Sequence, residues 1–444
     1  MKPASTDADL KKVPGGLKLG YYRDPVKVLA EAARKWGDVC YVDGGRYRLY
    51  VISHPDYVKE VLVTGHKNFA KGNPPTKRVL GDGLLTSDGD FHHRQRQLIQ
   101  PFLHRNMIAS YGRVMIDYTR RACGPWRDGE VLDMHQEMSR LTMAIVAKCL
   151  FNADVEAEAA GIGVALNQTM AYYDRRAGPL GLVMDKLPLP LPGKGEFAAA
   201  VTRLEEAVYK IIRERRASGA DAGDLLSSLL KARDEEGGTM TDAQLRDETL
   251  TLLLAGHETT ANALTWAWYL LSQNREAEEK LHRELDGVLP EGRAPAVEDY
   301  QRLGYTARVF KEALRLYPPA WALGRRAVKD CGIGGFLIPA GSTMVMSQYV
   351  MHRDPRFFDD PESFDPDRWT PEMEEKLPDF AYFPFGGGPR GCVGESFAKM
   401  EGVLVLAAVA RSWAMKFVPG QRVGVQPRIT LRPKYGMKMK LERR

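Results

Sequence analysis

The chain has 444 residues, of which 44% are apolar and 27% are charged, and this composition excludes a collagenous, coiled-coil or largely disordered protein. The 63 Lys and Arg residues against 57 Asp and Glu residues give a net charge of +6, without the block of like charges that would indicate nucleic-acid binding. The five cysteines form no Cys-x-x-Cys pair, which favours reduced thiols in a cytoplasmic protein over disulfides or a zinc site.

The N-terminal segment, residues 1–20, carries charges and no apolar signal region, and we expect it to be a flexible tail. Residues 21–444 are expected to form a single domain with β-rich portions at about 38–65 and 322–348. No apolar run is long enough to cross a bilayer, so no membrane anchor is expected.

Two regions have strand character and the rest is mostly helical. Val39–Ser53 contains β-branched and aromatic residues around Asp43-Gly44-Gly45, a hairpin signal, and Gly324–Ser347 has similar runs. Met143–Phe151 and Phe197–Ser218 have apolar residues at helical spacing. The prediction is a mainly α protein with small β-sheets, and pairing between strands from both ends would make it one unit.

The apolar helix predicted over Thr249–Leu271 has polar residues in its middle. Gly256 weakens a helix there, and Glu258 beside Thr259 is unfavourable in an apolar setting unless the side chains are satisfied. One interpretation is a threonine that bonds back to its own turn. The other is a pocket in which an alcohol and an acid act on a bound small molecule.

A glycine-rich loop around Cys392 precedes a helical pattern at Glu395–Ser412. Gly386, Gly388 and Gly391 satisfy the dinucleotide pattern GxGxxG, but neither the preceding strand nor the following acid is present, so this interpretation is disfavoured. At a helix start, free N–H groups stabilise a thiolate, and glycines admit a flat ligand. These properties suit an axial ligand of haem iron, and an inert buried thiol is the alternative.

The loop resembles a known signature. Five residues match, position for position, the haem-binding signature of the cytochrome P450 family: Phe385, Gly388, Arg390, Cys392 and Gly394. The resemblance covers roughly residues 20–440 and is to soluble bacterial members. It implies the P450 fold, a triangular prism of helices that encloses haem b, with the Cys392 thiolate as axial ligand of the iron.

The resemblance also implies roles for residues outside this loop. Thr259 is the alcohol that steadies iron-bound O2 and Glu258 the acid that relays protons. Glu312 and Arg315, which share a helix face at i,i+3 spacing, form a buried structural triad with Arg368. We assign this triad to holding the loop before Cys392.

The haem propionates would be held by basic residues. His92 and Arg96 are i,i+4 neighbours that can reach one anionic group, and Arg390 precedes the cysteine. Arg325 is expected as a further ligand, with Arg326 as its rival. Haem contact is also implied for Ala255, Phe385 and Gly394.

The substrate pocket is expected to be apolar and aromatic. Its predicted lining residues are Leu85, Leu252, Ala255, Trp321, Ala322 and Leu323. This lining fits a bulky, largely apolar small molecule. The pattern around His92–Tyr111 and Trp321 resembles that of bacterial sesquiterpene-oxidising P450s, and this resemblance favours a terpenoid. An indole-containing or cyclic-peptide metabolite that undergoes oxidative cyclisation or coupling is one alternative, since Trp321 could stack on an aromatic ring, and a fatty acid is another.

The implied activity is that of a haem-thiolate monooxygenase that uses O2 and two electrons. The electrons would come from a separate ferredoxin or flavodoxin with its reductase, because the chain leaves no length for such a module. His92–Ile116 has several arginines and no Asp or Glu, so an acidic donor is expected there. We expect a cytoplasmic monomer. A non-catalytic haem-binding protein and a haem-thiolate isomerase or dehydratase are the alternatives.

Overall fold

The computed structural model describes most of the chain. The described residues are 10–14, 24–43, 48–72, 74, 76–155, 159–176, 193–233, 239–290 and 293–444. Within them the fold is mainly helical, with small sheets at the periphery.

The α-helices, numbered along the described chain, include both long core helices and short connecting ones. They are α1 (Pro25–Trp36), α2 (Pro55–Lys59), α3 (Lys77–Leu80), α4 (Gly89–Ile99), α5 (Arg105–Cys123), α6 (Met134–Phe151), α7 (Ala159–Arg176), α8 (Lys194–Ser218), α9 (Leu225–Lys231), α10 (Asp242–Gln273), α11 (Arg275–Val288), α12 (Gly304–Leu316), α13 (Gln348–Met351), α14 (Pro371–Lys376) and α15 (Glu395–Ala410). The helices predicted around Met143–Phe151, Phe197–Ser218 and Thr249–Leu271 are thus present as α6, α8 and α10.

The strands are short. They are β1 (Lys11–Val13), β2 (Val39–Asp43), β3 (Arg48–Ile52), β4 (Phe69–Ala70), β5 (Val131–Asp133), β6 (Leu323–Ala327), β7 (Cys331–Ile333), β8 (Phe336–Ile338), β9 (Thr343–Met346), β10 (Trp413–Phe417), β11 (Val425–Pro427), β12 (Leu431–Pro433) and β13 (Lys438–Arg443).

The largest sheet contains strands from distant parts of the chain, in the order β1-β2-β3-β9-β6-β4. β2 and β3 form the predicted antiparallel hairpin, whose turn at residues 44–47 lies outside the described residues. β3 then pairs in parallel with β9, for example Ile52 with Met346. The sheet thus joins strands from the first 60 residues of the chain to strands beyond residue 320.

The N-terminal segment differs from the expectation of a flexible tail. Lys11–Val13 form a strand that pairs in parallel with β2, and Leu10 and Val13 are buried. Hydrogen bonding to β2 and burial of two apolar side chains hold this part of residues 1–20 in place. Residues 1–9 and 15–23 lie outside the described residues.

Helix α10 runs through the middle of the protein. Thr241 caps its first turn, since the Thr241 hydroxyl accepts from the Gln244 N–H and the Gln244 side chain accepts from the Thr241 N–H. Apolar residues occur on all its sides, and it contacts α6, α8, α12 and α15. A helix so enclosed is a rigid support for a site. Among the described residues, no helix is both long and apolar enough to span a membrane.

Candidate active site

A cavity of about 380 Å³ lies beside α10, between the loop that follows α3 and the loop that precedes α15. Most of its lining side chains are apolar. The predicted cofactor and oxygen-site residues all line this one cavity: His92, Arg96, Ala255, Glu258, Thr259, Arg325, Phe385, Arg390, Cys392 and Gly394. The structure therefore brings together residues as far apart in the chain as His92 and Gly394, which are separated by 302 positions.

The predicted pocket residues divide into two groups. Leu85, Leu252, Ala255 and Leu323 line the cavity. Trp321 and Ala322 do not, which corrects that part of the expectation. The Trp321 indole N–H donates to the Arg428 carbonyl oxygen at 2.8 Å, and its ring is buried with Val345 and Leu431 in a separate core cluster. An aromatic ring anchored in this way is unavailable for stacking on a substrate.

Cys392 reaches the cavity from a tight loop. Its N–H donates to the Phe385 carbonyl oxygen at 2.9 Å, which closes the loop around the sulfur. Gly388 has a φ of +67°, and a Cβ there would lie 1.9 Å from the Leu62 carbonyl oxygen, so a larger residue does not fit. Gly394 then caps α15. The thiol is accessible from the cavity and lies at the N-terminal end of this helix.

The surroundings of the Cys392 sulfur act on its pKa in opposite directions, and burial has the larger effect. Burial raises the pKa of this thiol, whereas the Gly394 N–H and the positive charge of Arg96 oppose the shift. Arg96 is fixed nearby because its guanidinium donates to the Gly391 carbonyl oxygen at 2.7 Å. A sulfur that accepts a backbone N–H beside a cation can act as an anionic metal ligand.

Five basic side chains line the part of the cavity next to this loop: Lys71, His92, Arg96, Arg325 and Arg390. Burial, together with Arg390 and Arg325, lowers the pKa of Lys71 to about 7. Burial, with Arg390 as neighbour, likewise lowers the pKa of His92 to about 4 and that of Arg325 to about 10. Without an anionic ligand, the lowered pKa values leave His92 neutral and Lys71 partly neutral near pH 7. Basic groups crowded in this way fit a ligand that carries two carboxylates, as haem does, because the anions would favour their protonated forms.

Lys71 was not predicted as a member of this cluster. It follows strand β4 in sequence, and Asp88 accepts its backbone N–H at 3.1 Å while also pairing with Arg390 at 2.5 Å. A single lysine in a loop has no spacing that marks it as a ligand. Only the tertiary structure, which places the loop of Lys71 next to β6, shows that Lys71 belongs to the basic cluster.

Thr259 faces the cavity from the middle of α10. Its hydroxyl donates to the Ala255 carbonyl oxygen at 2.7 Å, one turn earlier. This is the back-bonded conformation considered in the sequence analysis. Because Thr259 also lines the cavity, its oxygen is available to a bound ligand as a hydrogen-bond acceptor, and as a donor once the helix bond opens.

Glu258 is buried and held by a salt bridge. Arg432 of β12 donates from two guanidinium nitrogens to both carboxylate oxygens, and the Thr430 hydroxyl donates to Oε1 at 2.6 Å. Burial alone would raise the pKa of Glu258, but Arg432 and Thr430, with His257, lower it to about 2. The acid is therefore a carboxylate at neutral pH. To relay a proton it has to take one up from another group, and separation from Arg432 would raise its pKa and so favour that uptake.

Polar residues continue this network away from the cavity. The Asn262 side chain donates to Thr430 at 3.3 Å, and its oxygen lies 3.0 Å from His135 Nε2. His257 Nε2 lies 2.8 Å from the Ser139 hydroxyl. Burial lowers the pKa of His135 and that of His257, the latter to about 4, so both imidazoles are neutral near pH 7. Neutral imidazoles can accept and donate protons along such a chain.

Glu312, Arg315 and Arg368 form the predicted cluster on and near α12. Glu312 and Arg315 are fully buried and pair at 2.7 Å, and the Arg368 Nε donates to Glu312 at 2.9 Å. The indole N–H of Trp369 donates to the second Glu312 oxygen, and Arg315 also donates to the carbonyl oxygens of His352, Pro361 and Ser363. The cluster thus fixes the chain that leads to the cysteine loop.

The comparisons with known proteins agree with this site. The family model described as cytochrome P450 matches residues 15–441. Cyclooctatin synthase of Streptomyces melanosporofaciens is 41% identical over 430 residues, 94% of this chain and 92% of that protein. Cyclooctat-9-en-7-ol 5-monooxygenase of the same organism is 38% identical, covering 91% and 88% of the two chains.

Two further relatives extend the comparison. Pentalenene oxygenase of Streptomyces avermitilis is 33% identical over 401 residues, 89% of this chain and 86% of that protein. The crystal structure of the haem domain of cytochrome P450DA has a TM-score of 0.87 and 25% identity, and covers 100% of this chain and 99% of its own.

The chain belongs to the cytochrome P450 family. It has the P450 fold, and it is a monooxygenase that uses O2, a redox partner and haem with a cysteine thiolate ligand. The cavity fits this cofactor, because it combines an accessible thiol, a cluster of cations and an apolar remainder. The alternative of a dinucleotide site at the glycine-rich loop is thereby excluded.

Proposed function

We propose that Cys392 is the cysteine that ligates the haem iron and that the basic cluster holds the propionates. Support comes from the placement of these groups around one cavity, next to the loop closed by the bond between Cys392 and Phe385. In this assignment Lys71 joins the predicted His92, Arg96, Arg325 and Arg390. The bound cofactor supplies the reductive activation of O2 and transfer of one oxygen atom to the substrate.

The residues of α10 complete the site. Thr259 offers a hydroxyl at the cavity surface. Glu258 is the nearby acid, which after release from Arg432 would take up a proton from another group and pass it toward the cavity. The buried polar chain through Asn262 and His135 supports this role, since it leads from Glu258 away from the cavity.

The substrate is a bulky, largely apolar molecule, and we favour a terpenoid of natural-product biosynthesis. The cavity is lined mainly by aliphatic side chains, such as Leu80, Leu84, Leu252 and Ile429. The relatives named for cyclooctatin, cyclooctat-9-en-7-ol and pentalenene favour the same class. The position of Trp321 outside the lining removes the feature that favoured an indole or cyclic-peptide substrate.

The electron donor is an acidic ferredoxin or flavodoxin. Arg94 of α4 and Arg113 of α5 are exposed, and both helices lie near the cysteine loop, α4 through Arg96 and α5 through contact between Tyr111 and Phe397. We place the enzyme in the cytoplasm as a monomer with one domain, which comprises residues 21–444 and, through β1, also Lys11–Val13. The five thiols, none in a disulfide, and the shared sheet support this placement.

The test combines ligand spectra with substrate binding. Cys392→Ser should abolish the red-shifted Soret band of the reduced carbonyl complex, while Cys331→Ser, a buried thiol of β7, should retain it. A panel containing a cyclic terpene hydrocarbon, its monohydroxylated derivative, an indole-bearing cyclic dipeptide and a long-chain fatty acid should give type I shifts only with the terpenoids. Retention of the red-shifted band in Cys392→Ser would contradict the proposal, and so would tighter binding of the cyclic dipeptide than of the terpenoids.

A further inference from the structure

One wall of the cavity is formed by a loop. Residues 81–86, here named the cavity loop, follow α3 and bring Leu84 and Leu85 to the cavity surface. The loop is closed internally, since the Thr86 hydroxyl donates to the carbonyl oxygen of Gly81 at 2.7 Å. Its position relative to α10 therefore decides how much space a substrate has.

Two consecutive carboxylates of α10 hold this loop by its backbone. Asp247 Oδ2 accepts the N–H of Asp82 at 2.8 Å, and Glu248 Oε2 accepts the N–H of Leu84 at 2.9 Å. The accepting oxygens belong to residues 164 and 165 positions away in the chain. Burial raises the pKa of Glu248 to about 8, so at neutral pH its Oε2 accepts as part of a largely protonated carboxyl group. Its bond to Leu84 is then close to an ordinary hydrogen bond, and a buried N–H that loses such an acceptor is left unpaired.

The contact between loop and helix is also sterically close. A Cβ at Gly81, whose φ is +55°, would lie 2.0 Å from the Asp247 carboxylate. A Cβ at Gly83 would lie 2.3 Å from the Thr251 hydroxyl and 2.7 Å from the Asp247 carbonyl oxygen. The two glycines let the loop backbone lie directly on α10. The two hydrogen bonds then fix the distance between loop and helix, and with it the position of the loop at the cavity.

The two carboxylates are themselves fixed. Arg246 pairs with Asp247 and with Glu205 of α8, which ties α8 to this end of α10. Glu248 is 1% exposed, and its Oε1 finds no hydrogen-bond partner among the described residues. Neither Asp247 nor Glu248 lines the cavity. Their effect on a substrate would therefore be exerted through Leu84 and Leu85.

We propose that Asp247 and Glu248 are positioning residues that set the size limit of the substrate cavity by holding the cavity loop on α10. The inference rests on the proposed function, in which this cavity holds haem and substrate. It predicts that removal of either side-chain acceptor lets the cavity bind larger ligands. The thiolate ligation of haem should stay unchanged.

The first measurement is amide hydrogen exchange in the haem-loaded enzyme. The Asp82 and Leu84 amides should be protected in the wild type, and Glu248→Leu should speed exchange at Leu84 by about tenfold or more. Glu248→Gln keeps a carbonyl acceptor and should restore the wild-type rate. Unprotected amides in the wild type would overturn the proposal without any variant.

The second measurement is selectivity between two azoles of different size. Dissociation constants of 4-phenylimidazole and the bulkier clotrimazole are obtained from their Soret shifts, and their ratio is compared. In Glu248→Leu and Asp247→Leu, clotrimazole should gain about tenfold relative to 4-phenylimidazole, since the loop no longer limits the space. Glu248→Gln should match the wild type, as should Asp242→Asn, which alters a surface carboxylate of α10 that pairs with Arg216.

The outcomes separate this inference from the proposed function. A normal reduced carbonyl spectrum with an unchanged azole ratio in both leucine variants would overturn the inference and leave the assignment of Cys392 intact. Loss of that spectrum in Cys392→Ser bears on the proposed function alone. If Glu248→Leu does not fold, Asp247→Leu and the wild-type exchange rates decide the question.

Discussion

Glu258 and Arg432 form an ion pair that sets the protonation state of the acid beside the cavity. The acid was visible in the sequence because Glu258 stands beside Thr259 in an apolar helix. Its partner was not, since Arg432 lies 174 residues later on the short strand β12, where nothing in the local pattern points to α10. Sequence therefore identified the titratable group but not the charge that sets its pKa.

Replacing Arg432 with glutamine should make stability depend differently on pH. Arg432 helps to lower the folded-state pKa of Glu258 to about 2, below the ordinary 4.5, so the stabilisation is present above pH 4.5 and is lost as the pH falls toward 2. The shift corresponds to about 3 kcal/mol. Because burial would then raise the pKa of Glu258 above 4.5, Arg432→Gln should be less stable by at least about that amount at pH 7. The difference should narrow toward pH 3 in denaturant unfolding.

The pair can be checked by a double variant. Glu258→Gln combined with Arg432→Gln removes both charges and should show less than the sum of the two single losses. A stability difference between Arg432→Gln and the wild type that is the same at pH 7 and pH 3 would contradict the role of the ion pair.

Thr259 has a matched control on its own helix. Thr259→Ala should lower the product formed per electron consumed severalfold and raise hydrogen peroxide release, because the cavity loses a hydroxyl. Thr265 makes the same bond to its own turn, at 2.7 Å to Ala261, but does not line the cavity. Thr265→Ala should keep the wild-type yield, and equal effects of both variants would assign Thr259 a purely structural part.

At the scale of secondary-structure elements, the length of an element determined whether the sequence could predict it. Helices α6, α8 and α10 and the β2–β3 hairpin were predicted because several periods of apolar residues, or a turn signal, repeat within them. β1, β11 and β12 have three residues each, too few for a period. These segments are strands because of the strands that they pair with, and their own residues do not reveal it. For this reason the sequence predicted a flexible tail at residues 1–20, where the structure has β1.

The end of α12 holds the chain before the cysteine loop through Glu312. Glu312→Gln leaves two buried arginines facing an uncharged amide, and the loss of one member of such a cluster costs about 3–5 kcal/mol. We expect low haem content and a lower unfolding midpoint, measured by absorbance and by denaturant unfolding. Arg275→Ala, which breaks the exposed pair with Glu279, should leave haem content and the unfolding midpoint near those of the wild type.

On the scale of the whole molecule, the family signature predicted which distant residues meet, but not the cations and acids that complete the site. Lys71, Arg432, Asp247 and Glu248 all act through residues far away in sequence. Each is an ordinary charged residue in its local context. Their roles depend on the tertiary fold, which one sequence does not display by periodicity or spacing.

Donor binding should depend on charge across the face near the cysteine loop. We expect the rate of first electron transfer to fall with ionic strength, because salt screens the attraction between an acidic donor and Arg94 and Arg113. Arg94→Glu with Arg113→Glu should slow it at least about tenfold at low salt in stopped-flow measurements. Arg203→Glu with Arg213→Glu makes the same change of net charge on α8 and should leave the rate near that of the wild type.

The β11–β12 hairpin joins two properties that protein engineers treat separately. Ile429 and Thr430 at its tip line the cavity, while Thr430 and Arg432 hold Glu258. A substitution at Ile429 that is chosen to admit a new substrate would therefore also shift Thr430 and Arg432, which hold the Glu258 carboxylate. Substitutions at the hairpin tip that admit larger substrates would therefore also change the amount of product formed per electron consumed. Variant libraries at the tip are best screened for substrate acceptance and for this yield together.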